Sequence, residues 1–198
     1  MTDMPLDDII EDLREYIERD VAAGFRSADE IVESAVEVMD GEAEPATLRA
    51  AAERLTQTAM ARHFAAQATW PAMTDCDRLD AAFAELDRRG IVARQDFSCC
   101  GTCGAGEIRA EMEEVVATGR PVRGYAFYHM QDTESAAEGR GLYLAYGAAD
   151  EGELAALGVA GEIVDTLRTQ GLDVAWEGTW DKRIQVSLDW KRRRRVEE

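Results

Sequence analysis

Three features of the sequence predict an α+β protein, helical in its first half and built on a small sheet in its second. Apolar residues recur at helical spacing through residues 1–90. Short β-type runs replace them from residue 91, and two further helical patterns fall between such runs. With 198 residues the chain can bury a core without covalent staples. The expected organisation is an acidic helical region over residues 1–90, followed over residues 91–198 by a ferredoxin-like domain that ends in a hairpin and a basic tail.

Leu6, Ile9, Ile10, Leu13, Ile17 and Val21 form the apolar stripe of the first helix, and Gly24 suits its C-terminal cap. Ser27 and Glu30 have the form of a capping box, after which Ile31, Val32, Ala35, Val36 and Met39 carry a second helix to Asp40-Gly41. Leu48, Ala51, Ala52, Leu55 and Ala59 outline a third beyond Pro45. Thr74 and Asp77 open a fourth, which runs through Leu79, Ala82, Phe83 and Leu86 to Gly90. Cys76 stands three residues before Leu79 on its apolar face, where a free cysteine acts as a small hydrophobe. No long Gly, Ser or Pro linker follows the first helix, so its stripe is expected to pack within the chain.

The second half reads β-α-β-β-α-β-β. "IVARQDF" is the first strand, and Ile108, Met112, Val115 and Val116 mark a helix after it. "VRGYAFYHM" and "RGLYLAYG" follow as a hairpin pair joined by the polar loop "QDTESAAEG". A long helix carries Leu154, Leu157, Val159, Ile163, Val164 and Leu167, and "LDVAW" and "RIQVSLDW" close the chain. The split βαβ plan makes this an antiparallel sheet with helices on one face, its third strand lying between the first and second. The carboxyl ends of the first two strands would then emerge at one end of the sheet, roughly 10 Å apart.

Chemistry-bearing residues gather at those two carboxyl ends. Cys99, Cys100 and Cys103 follow the first strand in "FSCCGTCGAGE"; His129, Gln131, Asp132 and Glu134 follow the second. A cysteine at a helix start meets unpaired amide hydrogens, which stabilise a thiolate and make it nucleophilic at neutral pH. On that reading Cys100 and Cys103 are nucleophile and partner, His129 is the base, and Asp132 or Glu134 orients it. Glu107 and Glu111, further along the helix, oppose the thiolate. Zinc is a second reading, with Cys99, Cys100, Cys103 and His129 as the four ligands, although one CxxC supplies only half of the usual pattern. In a third, Gly101, Gly104 and Gly106 simply make a tight strand-to-helix turn.

The segments "FSCCGTCG", "GYAFYHMQDTE", "GLYLAYGA" and "RIQVSLDW" resemble a bacterial family of unknown function over roughly residues 75–195. The resemblance marks the cysteine and histidine segments as characteristic of that family and implies no activity, cofactor or partner.

The net charge of -18 repels nucleic acid and anionic membrane surfaces and favours basic or neutral protein partners. Residues 1–45 alone hold 15 acidic and 3 basic side chains. A non-catalytic binding or regulatory module, with its acidic helices docking a basic partner, is therefore the leading functional reading, and a thiol-redox or zinc protein is the alternative. "KRRRR" at 191–195 reads as a solvated tail, with the acidic helices as a surface on which it could lie. Trp176, Trp180 and Trp190 suit hairpin packing, and His63 reads as an ordinary, partly exposed helix residue. The N-terminus has no leader pattern and no apolar stretch is of membrane-spanning length, so a cytoplasmic location is expected. Thiols stay reduced there, which disfavours a disulfide framework.

Overall fold

A computed structural model describes residues 5–195. The chain divides into two compact units, one formed by the residues up to 72 together with those from 191 onward, the other by residues 73–190.

The first unit contains α1 (Leu6–Ala23), α2 (Ala28–Val38) and α3 (Pro45–Gln67). Gly24 closes α1 in the left-handed conformation, and Ser27 and Glu30 form the reciprocal capping box of α2. Pro45 opens α3, where its missing N–H costs nothing. Leu13, Ile17 and Val21 of α1 pack with Ile31, Val32 and Ala35 of α2 and with Ala51, Ala52, Leu55 and Ala59 of α3. The alanines let α3 lie close to its neighbours, and they leave α1 and α2 to supply the bulk. The stripe of α1 is thus covered inside this unit, except that Leu6 remains half-exposed while Ile9 is buried.

The end of the basic run is not a solvated tail. Arg194 is only 8% exposed, and its guanidinium donates to the carbonyls of Asp20, Val21 and Arg26 at 3.0, 2.8 and 2.7 Å. Carbonyls at a helix end lack intrahelical donors, and a buried arginine fork supplies three at once. Gln67 of α3 holds the Arg194 backbone from both sides, and His63 Nε2 lies 3.1 Å from the Arg192 carbonyl. Arg192 sits over the Phe25 ring at 4.0 Å, with its stem against Gly24. Charge counting put the run outside, whereas the geometry makes it a strap across α1 and α3.

The second unit contains α4 (Asp75–Arg88), β1 (Ile91–Arg94), α5 (Gly101–Ala117), β2 (Gly124–Phe127), α6 (Met130–Ala137), β3 (Leu142–Ala148), α7 (Glu153–Thr169), β4 (Asp173–Ala175) and β5 (Ile184–Ser187). Thr74 and Asp77 form the capping box of α4, and Cys76 is buried on its inner face, as the spacing predicts. The strands make one sheet in the order β1-β2-β3-β5-β4. β1 and β2 are parallel, and every other pairing is antiparallel.

This corrects the ferredoxin-like expectation in three respects. β2 lies directly beside β1, with no strand between them, so the sheet is mixed rather than antiparallel. The reason is visible in α5: Ile108 packs on Val92 of β1 and Phe127 of β2 together, and a Cβ on Gly104 would come within 2.5 Å of the Phe127 ring. A helix seated that closely on both strands leaves no room for a third between them. The helices also cover both faces. Val92 and Phe127 meet α5 on one, while Gly124, of opposite parity to Phe127, meets Val159 of α7 on the other. Finally, the segment read as a polar hairpin loop contains α6, so the element order from β1 is β-α-β-α-β-α-β-β.

Candidate functional site

Because β1 and β2 are adjacent and parallel, their carboxyl ends stand one strand spacing apart, about 4.8 Å rather than 10. The two segments leaving them are zipped together. Tyr128 N–H donates to the Arg94 carbonyl, Phe97 N–H to that of Tyr128 and Met130 N–H to that of Ser98. Side chains repeat the link: Tyr128 Oη donates to Gln95 at 2.8 Å and Thr133 Oγ1 to Asp96 at 2.6 Å. Asp96 and Ser98 have φ of 51° and 64°, a left-handed conformation uncommon outside glycine. These hydrogen bonds hold that conformation in place and turn the chain into α5 with three cysteines at the bend.

Cys100 is the N-cap residue of α5, and Cys99 and Cys103 are exposed around it. The sulfurs of Cys99, Cys100 and Cys103 all lie within 4.8 Å of one another. The backbone N–H of Cys103, with the Cys103 side chain and the Thr102 N–H behind it, holds the Cys100 thiol below the usual thiol range. Hydrogen bonds to Cys99 and Cys100 and the proximity of their charge push Cys103 up to about 11. The cluster therefore prefers one thiolate, centred on Cys100, flanked by two thiols. The opposition expected from Glu107 and Glu111 has little means of acting, since Glu111 is paired with Arg94 at 2.7 Å.

His129 is the N-cap residue of α6 rather than a strand residue. Its Nδ1 accepts the Asp132 N–H at 3.3 Å, Asp132 accepts the His129 N–H at 3.1 Å, and His129 Nε2 lies 3.0 Å from Asp132 Oδ2. Arg183, from just before β5, grips Asp132 through both Nη atoms at 3.0 and 2.5 Å and also donates to the Tyr143 carbonyl. Asp132 is 5% exposed. The imidazole faces α5, and a Cβ on Gly101 would sit 3.5 Å from Nε2. Gly101 leaves space for the ring beside the residue that follows Cys100.

The cysteines, His129 and Asp132 thus come to one end of the sheet, in two clusters side by side. Among the described residues no hydrogen bond or ion pair joins His129 to a cysteine, and the group able to hold an ion consists of the three cysteines without His129, Asp132 or Glu134. Glu134 is half-buried on α6. Three sulfurs this close suit a thiophilic ion, but the protein supplies no fourth donor of the kind tetrahedral zinc requires. Sequence reading did not reach Arg183, Asp96 or Thr133, since each carries no local motif and acquires its role only when β1, α6 and β5 meet.

These features define an α+β protein with a cysteine cluster at the start of one helix and a buried His-Asp-Arg cluster at the start of the next. A family model, described as a domain of unknown function (DUF6891), matches residues 7–194, and the chain belongs to that family. The match takes in the helical unit as well as the sheet. No curated protein and no solved structure matches the chain. Among the described residues no helix is long and apolar enough to cross a membrane.

The two histidines carry a pH signature. Burial lowers the pKa of His129, with Asp132 opposing and Arg183 reinforcing the shift; burial likewise lowers His63, with the Arg192 carbonyl opposing and Arg194 reinforcing. A histidine with a depressed folded-state pKa is protonated first in the unfolded chain. Its contribution is intact above the ordinary value near 6.5 and is lost as pH falls through the lower folded value. The urea midpoint should therefore drop between about pH 7 and pH 5.5, before the carboxylates titrate. A midpoint that is flat or rising across that window would contradict the burial of both rings.

Proposed function

We propose that the second unit is a dithiol protein, with Cys100 as the attacking thiol and Cys103 as the resolving thiol in exchange with a disulfide on a small molecule or another protein. The carrying observation is the division of acidity within three sulfurs 4.8 Å apart: Cys100 is favoured as thiolate and Cys103 is held as thiol. The Cys100 thiolate attacks one sulfur of the oxidant's disulfide, forming a mixed disulfide and expelling a thiolate. Cys103 then loses its proton to solvent and attacks the Cys100 sulfur, which releases the second thiolate and leaves a Cys100–Cys103 disulfide. Two electrons pass to the oxidant. His129 and Asp132 serve by fixing the start of α6 beside Gly101, because both ring nitrogens are already engaged. No step requires Glu134.

Mass spectrometry after exposure to glutathione disulfide tests the scheme. The intact protein should lose two hydrogens, and a Cys103→Ser variant should accumulate a glutathione adduct on Cys100. Alkylation of Cys100 should set in at lower pH than that of an ordinary thiol, that of Cys103 only toward about pH 11, and buried Cys76 should label last. An adduct that forms first on Cys99 or Cys76, or fails to accumulate in Cys103→Ser, overturns the assignment.

The same three sulfurs support a second reading as a trithiolate site for a soft cation. Cys99, Cys100 and Cys103 would hold the ion, and zinc would need a donor from outside. Metal analysis of the reduced protein separates the readings, since a bound ion would block alkylation of all three thiols together. A non-catalytic module whose acidic helices dock a basic partner draws its support from the -18 charge. The inner faces of α1–α3 are spent on their own core, so such docking would use charge rather than an apolar stripe.

A further inference from the structure

On the α5 face of the sheet, more than two turns from the cysteines, Arg109 and Met112 line a cavity of about 270 Å³ together with Tyr125, the Gly147–Gly152 turn and Trp180. At 1.5 Å per residue, Met112 stands about 13 Å along α5 from Cys103. The cavity is built by a glycine. A Cβ on Gly147 would meet the Tyr125 ring and hydroxyl at 2.6–2.7 Å, so only glycine lets the ring fold across β3 as the floor. Tyr125 is fixed from its other side by stacking on Phe127 at 6.0 Å.

Two polar groups here lack partners. Among the described residues Arg109 makes no hydrogen bond or ion pair, in a chain whose acids outnumber its bases 40 to 22. The Tyr125 hydroxyl makes none either, although the ring is half-buried. An unpaired guanidinium and an unpaired phenol facing one cavity are a donor set for an oxyanion. A second depression of about 330 Å³ adjoins the first, sharing Arg109, Met112 and Ala149, and is walled by Val116 and Val122. Trp180, 54% exposed, forms the rim of the first.

The geometry points to a binding site for a small apolar monocarboxylate, its carboxylate on Arg109 and Tyr125 and its hydrocarbon or aryl body over Met112, Val116 and Val122. Asp150 and Glu151 line the cavity as well and set the charge limit. They repel a dianion, so a phosphate ester is disfavoured, and they tolerate a single negative charge that the guanidinium neutralises. This site is independent of the thiol chemistry.

The probe is 4-phenylbutyrate, titrated to about 10 mM against the reduced full chain, well above a Kd near 1 mM, and followed by amide and indole chemical shifts. Saturable shifts should appear at Arg109, Tyr125, Gly147 and the Trp180 indole. The corresponding amide and phenyl phosphate should bind at least tenfold more weakly. Arg109→Gln and Val116→Glu, both at exposed helix positions, should each weaken binding at least tenfold with the spectrum otherwise unchanged. No saturable shift at these residues, equal binding of the amide, or undiminished binding by Arg109→Gln overturns the proposal.

Discussion

Arg194→Ala should lower the stability of the protein by about 3 kcal/mol or more, a large share of the 5–15 kcal/mol that holds a typical domain. The substitution removes a charged donor from three carbonyls, those of Asp20, Val21 and Arg26, in a site only 8% exposed. Each hydrogen bond to a charged group is worth about 1.5–3 kcal/mol net, and water entering the gap recovers part of the sum. It also loosens the strap, whose backbone at Arg194 is held by Gln67. Arg194→Lys should recover only a fraction, because one ammonium cannot fork to three acceptors. Arg195→Ala, one residue on and exposed, should stay within about 0.5 kcal/mol of the parent. Urea unfolding of the three variants decides the matter: equal midpoints for Arg194→Ala and Arg195→Ala would mean that the run is a solvated tail after all.

Asp132→Ala should cost about 2–4 kcal/mol and should also change the cysteines. Asp132 is 5% exposed and receives the His129 N–H and both Arg183 Nη atoms. Breaking a fully buried pair costs about 3–5 kcal/mol; the Arg183 side chain is 37% exposed, so hydration of the abandoned guanidinium trims that figure. Loss of the N3 carboxylate frays the start of α6 and, through Thr133 and Asp96, releases the bend that precedes Cys99. Alkylation of Cys100 should then move toward ordinary thiol behaviour, and the His129 pKa should fall further, because Asp132 is the group that raises it. Asp132→Asn keeps the cap and loses the ion pair, so it should fall between parent and alanine in stability. An Asp132→Ala protein with unchanged urea midpoint and unchanged Cys100 reactivity would disconnect the two clusters.

Much of this molecule is written locally. The capping boxes Ser27–Glu30 and Thr74–Asp77, the αL glycine after α1, the buried Cys76 and all five strands follow from residue type at fixed spacing, because caps and periodic faces are decided within one or two turns of chain. The convergence of the cysteine and histidine segments was legible for the same reason: both stand just after strands that run the same way. Helix α6 was hidden because its buried face is Asp132, Thr133 and Ala136, which offers no apolar period to read.

Tertiary structure decided the rest. Strand order turned on how closely α5 seats on Phe127 through Gly104, a contact between residues 23 apart in sequence. The burial of Arg194 depended on acceptors at the end of a helix some 170 residues earlier, so no window of sequence around "KRRRR" could show it. Arg183 reached Asp132 only once β5 had been laid beside β3. The sequence by itself determined which segments are helix and strand and where the thiols stand. Which strand lies beside which, and which charges are buried with which partners, depended on long-range packing, because such contacts form between groups whose own neighbours in the chain carry no trace of them.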